Sequence, residues 1–272
     1  MPLAAWRAIC GKPRSSFSAL SSLFPSRFHP ICTVAQLKSR AVQPFSEYVP
    51  MASLFHGPLT EQYRPRTWAE VIAPPKAVQQ LLRIRDRCGF GGRAFFISGK
   101  SSTGKTSLAR LTGAEVADEF MVQEIDATTL TIAGLKDLAE QQQIRGCGDK
   151  PGRAFVLNEV HGLRKDVIRS LLVLIDTGNI PAHVTWILTT TREGEESLFE
   201  DYDDASPLLS RCFPITLATR DTARPFAVWA RKIAEKEGLD GQPLERYVRL
   251  VNEHRGNFRA VLTAIEAGEM AS

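Results

Sequence analysis

Ala94-Phe95-Phe96-Ile97-Ser98-Gly99-Lys100-Ser101-Ser102-Thr103-Gly104-Lys105-Thr106-Ser107-Leu108-Ala109 is the stretch that decides the fold. Gly99, Gly104, Lys105 and Thr106 satisfy G-x-x-x-x-G-K-[ST] at every fixed position. An apolar run of strand length precedes them, and a helical pattern carried by Leu108, Ala109 and Leu111 follows. Glycines let the loop turn tightly enough to aim successive backbone N–H groups at phosphate oxygens. Lys100, Ser101, Ser102, Thr103 and Ser107 are therefore expected around a triphosphate with Gly99 and Gly104. Lys105 is expected at the β- and γ-phosphates, Thr106 on Mg²⁺, and the positive end of the following helix toward the anion. The motif specifies a nucleoside triphosphate and says little about its use.

Outward from this loop, strand and helix patterns alternate. Met121–Asp126, Arg153–Glu159, His183–Thr191 and Phe213–Leu217 read as strands, and Thr128–Ile144 reads as a helix with Ile132, Leu135 and Leu138 on one face. Val167, Ile168, Leu171, Leu172 and Leu174 make the next helix largely buried. Such alternation implies parallel strands joined by helical crossovers, hence a doubly wound α/β sheet. After residue 219 the strand signal stops. Helices are expected over Pro225–Glu237, Pro243–His254 and Asn257–Met270, giving a nucleotide-binding domain over 51–219 and a small helical lid domain over 220–272.

Composition narrows the class without naming an activity. Of 272 residues 43% are hydrophobic and 24% charged, as in an ordinary globular protein, and no apolar run is long enough to span a membrane. The five cysteines lack any C-x-x-C spacing, which argues against a zinc module or disulfide framework and for a reducing compartment. The net charge of +4 is uneven: residues 1–50 carry six Lys or Arg against one acid, leaving 28 bases and 29 acids in the rest. Any nucleic-acid contact of the globular part must therefore be a local patch. Residues 1–50 are also Ser- and Pro-rich. They read either as an organellar transit peptide, which would make the protein mitochondrial, or as an over-extended gene start before Met51, which fits a bacterial-like cytoplasmic protein.

Five motifs in order carry a family resemblance. Tyr63-Arg64-Pro65 with Trp68, Glu70, Val71 and Ile72 opens the globular part. The phosphate loop follows, then Phe155-Val156-Leu157-Asn158-Glu159-Val160-His161, then Thr189-Thr190-Thr191, Ser210-Arg211-Cys212 and Gly256-Asn257-Phe258-Arg259. The series resembles the AAA+ subunits of sliding-clamp loaders, of the bacterial gamma/tau type and the small subunits of replication factor C, over residues 59–266. The resemblance implies a P-loop AAA+ ATPase with ATP and Mg²⁺ as cofactors. Tyr63, Arg64, Pro65, Val71 and Ile72 would line the purine pocket. Glu159 would polarise the attacking water, and one of Thr190 and Thr191, with spacing favouring Thr191, would hold that water or the γ-phosphate. Arg259 would reach the γ-phosphate from the lid, and Arg211 would act as an arginine finger on a neighbour's site.

The chain departs from the family pattern in three places. Asn158 stands where the family's strand-end aspartate does; an amide can hold a water of the Mg²⁺ shell but brings no charge. Residues 192–207 hold Glu193, Glu195, Glu196, Glu200, Asp201, Asp203 and Asp204, a solvated loop or a contact for a basic partner. The sequence ends just past the lid, so the collar that holds clamp loaders together is not expected. Partners implied are a homo- or hetero-oligomer through an ATP-bridged face, a sliding clamp, and primer-template DNA tracked through Arg164, Lys165 and Arg169; no membrane partner is expected. A nucleotide-bound scaffold subunit that hydrolyses little and donates Arg211 is the alternative. A branch-migration or transposition motor shares the core, but the Ser210-Arg211-Cys212 and Tyr63-Arg64-Pro65 motifs count against it.

Overall fold

Five strands form one parallel sheet in the order β2-β3-β4-β1-β5, the inner three buried along nearly their whole length. The computed structural model describes residues 57–72, 75–191, 206–217 and 222–271. The described residues all fall within one compact unit, 50–272. The extension 1–50 and most of the acidic segment 192–207 lie outside the described residues. The strands are β1 (Arg93–Gly99), β2 (Val122–Asp126), β3 (Arg153–Asn158), β4 (Val184–Thr190) and β5 (Phe213–Leu217). Their register sets Phe96 against Leu188, Ile97 against Ile215 and Val156 against Ile187. Parallel strands need a crossover after each, which places α3 (Lys105–Val116), α4 (Ile132–Gln141) and α5 (Lys165–Leu174) between them.

Strand alternation divides the apolar side chains between two faces. On one face Phe95, Ile97, Ala154, Val156, Ile187 and Ile215 pack with Leu108 and Ala109 of α3 and with Ala77 and Leu81 of α2 (Pro75–Cys88). On the other, Phe96, Phe155, Leu157, Trp186 and Leu188 pack with α4, α5 and α6 (Ser206–Arg211). Trp186, fully buried, stacks on Phe155 at 4.6 Å between ring centroids and donates its indole N–H to Gln142 Oε1 at 3.2 Å. That bond satisfies two polar groups that burial would otherwise penalise.

Several element ends differ from the periodicity reading, each for a local reason. The helix expected from Thr128 begins at Ile132, because the Asp126 carboxylate accepts from Thr128 N at 2.9 Å and holds Ala127–Thr129 in a 3₁₀ turn. Thr131 then caps α4 through Gly134 N at 3.2 Å. Met121 belongs to a 3₁₀ turn, so β2 starts at Val122. Beyond the sheet lie α7 (Ala223–Glu237), α8 (Leu244–Glu253) and α9 (Phe258–Glu266). The last ends short of the expected Met270 and is capped by Asn257 through Ala260 N at 3.1 Å. Tyr247, fully buried among these helices, donates its hydroxyl to Asp240 Oδ1 at 2.8 Å.

The segment 59–72 stitches the three helices to the sheet. Leu59, in the short α1 (Leu59–Gln62), is 4% exposed in the core of α7–α9, with Tyr63 and Ile72 packed on the same cluster. Trp68 and Val71 pack instead with α2 and β1, and the Trp68 indole N–H donates to Glu115 Oε1 at 2.6 Å. Sequence order groups all these residues with the sheet, whereas burial splits them, since a residue joins whichever apolar surface excludes it from water.

Leu59→Ala should therefore loosen the helical part selectively. Truncating a buried leucine costs ~2–5 kcal/mol. Amide exchange should accelerate in α7–α9 while β1, β3 and β4 keep their protection; equal loss in the sheet would show that Leu59 does not belong to the helical core.

Candidate functional site

Because the sheet is parallel, β1, β3 and β4 all end at one edge, and the polar residues that follow them gather there. At the end of β1 the phosphate loop begins with Gly99, where an added Cβ would stand 2.8 Å from Leu217 Cβ, so no side chain fits. Gly104 has φ +89°, left-handed backbone that glycine adopts without strain, and Lys105 begins α3 directly after it. Lys105 is 7% exposed, and its ammonium donates to Gly99 O at 3.1 Å and Lys100 O at 2.9 Å. Thr103 Oγ1 also donates to Lys100 O, at 2.8 Å. These bonds shape the loop around the ammonium before any ligand arrives.

At the end of β3, Asn158 Oδ1 accepts from Thr189 Oγ1 at 3.0 Å. Asn158 therefore lies on the α3 side of the sheet with Thr189, while Thr190 points to the other side, its hydroxyl 3.1 Å from His161 Nδ1. Glu159 sits at φ 56°, ψ 51°, left-handed backbone that is uncommon for a residue with a side chain and concentrates at functional sites. Its Oε2 is buried and has no hydrogen-bond partner among the described residues; His161 Nδ1 stands 3.5 Å away.

One cleft of about 1020 Å³, its open mouth included, joins the ends of β1 and β3. From the expected site it gathers Tyr63, Arg64, Pro65, Val71, Ile72, Ser101, Ser102, Thr103, Gly104, Lys105, Thr106, Ser107, Glu159 and Arg259. It adds Thr60, Phe226, Trp229, Phe258 and Leu262. Gly99 and Lys100 lie beneath the loop with their carbonyls on Lys105; Asn158 and Thr191 stand back from the cleft; Arg211 is elsewhere. The added residues Phe226 and Trp229 on α7, with Phe258 and Leu262 on α9, have a spacing that reads as a core stripe. Only the packing of the helices against the strap turns that stripe toward the loop.

The cleft's electrostatics are those of an anion site with one acid in it. Burial, with Arg110 and Arg259 nearby, lowers the Arg64 pKa from its ordinary value. Arg64 Nη2 donates to Glu61 at 2.6 Å, but its Nη1 is buried without a partner among the described residues. An unsatisfied guanidinium nitrogen and an unsatisfied carboxylate oxygen in one cleft are complementary to a phosphate oxygen and to a cation or its water. Thr106, Asn158 and Glu159 thus fit a Mg²⁺ shell in donor type, although among the described residues no cluster of three or more His, Cys, Asp or Glu is present. The Tyr63 hydroxyl donates to Glu237 on α7, and burial followed by that bond pushes its pKa up to about 12.

Arg211 ends α6 at the opposite edge of the sheet. It lines a notch with Gly91, Arg93 and Ala94, where β1 starts, about 20 Å of strand from the loop at its end. Its Nε donates to Asp176 Oδ1 at 2.9 Å and its Nη1 to Pro207 O at 3.0 Å. Cys212 beside it is buried, and burial pushes its thiol up to about 12. Arg164 stands at the N-terminal boundary of α5, its side chain 64% exposed and making no cap hydrogen bond. Among the described residues no helix is long and apolar enough to cross a membrane.

Among solved structures the chain is similar to the Thermotoga maritima RuvB Holliday junction branch migration motor, with TM-score 0.58 and 19% identity over 75% of this chain and 64% of that one. One point variant of that RuvB matches equally, and another has TM-score 0.58 at 18% identity over 75% of this chain and 65% of that one. The chain thus spans somewhat less than two thirds of the RuvB structure's length. No family model matches, and no curated protein does. At this identity the likeness establishes the fold alone, a parallel α/β sheet with the phosphate loop at the end of β1.

Two variants probe this site. Asn158→Asp should lower the Mg²⁺ concentration needed for half-maximal ATP turnover several-fold, because a carboxylate keeps the Thr189 hydrogen bond and adds charge beside Glu159. An unchanged metal requirement would place Asn158 away from the metal. Tyr63→Phe should flatten alkaline destabilisation: a phenol near 12 when folded and near 10 when unfolded contributes stability fully below pH 10 and loses it between pH 10 and 12. Denaturant midpoints of the parent should fall more steeply than the variant's across that window.

Proposed function

We propose that the chain is an ATP-binding AAA+ ATPase subunit of the clamp-loader class, coupling ATP binding and hydrolysis to action on a DNA-bound partner within an oligomer. The observation that carries this reading is the separation of the parts. Lys105, Thr106, Glu159, Arg64 and Arg259 converge on one cleft, while Arg211 lies at the other edge of the sheet and cannot reach it.

In this reading the loop from Ser101 to Ser107 wraps the phosphates, and Lys105 neutralises the β- and γ-oxygens. Arg64 takes a phosphate oxygen with its unsatisfied Nη1. Val71, Ile72, Phe226, Trp229 and Leu262 form the apolar slot beside Tyr63 for the base. Thr106 and Asn158 would hold Mg²⁺, which when bound supplies charge neutralisation on the transferring phosphoryl group. Glu159 orients the attacking water with the carboxylate oxygen that the described residues leave unsatisfied, and Thr191, just past the end of β4, would have to move toward the cleft to assist. Arg259, from the start of α9, makes the position of the helices depend on the γ-phosphate. Arg211 completes a neighbour's cleft, so hydrolysis requires an assembly bridged by ATP. Arg164, Lys165 and Arg169, at the start of α5, are the candidates to track DNA phosphates.

Asn158 favours a second reading, a scaffold subunit that holds ATP, hydrolyses little and donates Arg211. One set of turnover measurements separates the readings. Specific activity should rise with protein concentration, Lys105→Ala should lose ATP binding, and Arg211→Ala should keep ATP affinity while losing ~10³ or more in rate. Mixing the two variants should restore turnover. Stimulation by primed DNA with a sliding clamp supports the clamp-loader class, and stimulation by a four-way junction instead would move the reading to a branch-migration motor. A parent that binds ATP with flat, negligible turnover would leave the scaffold.

A further inference from the structure

We propose that Asp176 is the positioning residue of the trans-acting arginine, holding the Arg211 guanidinium in the orientation in which it meets a neighbour's nucleotide. The inference rests on the reading of Arg211 as a finger. Arg211 is the last residue of a six-residue helix, and an arginine there has many rotamers to lose before it can act. Two bonds within the chain remove most of that freedom: Nε on Asp176 Oδ1 at 2.9 Å and Nη1 on Pro207 O at 3.0 Å. They engage two of the five N–H donors of the fork and fix its plane. Among the described residues the rest of the fork makes no hydrogen bond and is left for an anion.

Both ends of the pair are set on rigid supports. Asp176 follows Ile175, which is 1% exposed, in a turn closed by Asn179 N to Asp176 O at 2.9 Å and tied back by Asn179 Nδ2 to Val173 O at 2.6 Å. Arg211 is flanked by Cys212, 8% exposed, and carried by Leu208, 1% exposed, in the same apolar cluster as Ile175. Among the described residues, the charged groups around the notch are Arg93, which is occupied with Gly91 O at 2.7 Å, and this pair. The pair is too open to serve the fold: the side chains are 30% and 48% exposed, and ion pairs that open to water add little stability. What such a pair does supply is orientation, and sub-ångström placement is what a finger needs.

The test uses the full chain. Asp176→Ala should lower turnover at saturating ATP about tenfold with KM for ATP and ATP affinity unchanged, and Asp176→Glu should recover most of the rate. Asp176→Asn replaces the alanine variant should that one fail to bind ATP. The effect must also map to the donor side. Combined with Lys105→Ala in one chain, Asp176→Ala should cut that chain's ability to restore Arg211→Ala by a similar factor. Combined with Arg211→Ala, it should leave restoration by Lys105→Ala intact. Turnover of Asp176→Ala at or above the parent rate, or equal restoration by both double variants, overturns the proposal. Those outcomes alongside an inactive Arg211→Ala fail only the role of Asp176, whereas an Arg211→Ala that keeps the parent rate fails the finger reading itself.

Discussion

Parallel pairing of all five strands is the constraint from which the rest of the molecule follows. Strands that run one way share an edge where they end and an edge where they begin, so residues after β1, β3 and β4 meet while those before β1 and β5 meet on the far side. Strand geometry keeps the two groups about 20 Å apart. The phosphate loop and Glu159 are thus brought together by topology, and Arg211 is kept from them by the same topology. A single chain thus keeps Arg211 and the phosphate-loop cleft in two separate places.

The helical part is held over the cleft by apolar burial. Leu59, Tyr63 and Ile72 belong to the core of α7–α9, and Trp68 and Val71 to the core under β1. A strap that divides its side chains between two cores resists separation without any large interface between them. The hydrogen bond from Tyr63 to Glu237 adds a polar tie at the same junction. The cleft therefore has one wall of backbone N–H groups and one wall of aromatic and aliphatic side chains, the division a nucleotide itself shows between phosphates and base.

Charge inside the cleft is incomplete. Most buried polar groups in folded proteins find partners, yet Arg64 Nη1 and Glu159 Oε2 have none among the described residues. Glu159 also holds a left-handed backbone that costs ~1–3 kcal/mol unless its surroundings impose it. Strain and missing partners thus coincide in this one cleft. Asn158 moderates this, since its amide satisfies Thr189 without adding a second negative charge beside Glu159.

The sequence by itself determined the fold class and the phosphate loop, because both rest on local rules. Continuous apolar runs of strand length alternating with helical stripes imply a parallel sheet, and Gly99, Gly104, Lys105 and Thr106 are required by backbone geometry and charge wherever the loop occurs. Element ends were legible only in part: the Asp126 and Thr131 caps that move the start of α4 to Ile132 compete with a periodicity that is blind to them. Tertiary structure alone decided which apolar stripes face a ligand, since Phe226, Trp229, Phe258 and Leu262 have the spacing of core residues and line the cleft only because the strap tips their helices over it. It alone paired Arg211 with Asp176, thirty-five positions apart, because that contact depends on two strand-initial loops meeting at one edge of the sheet.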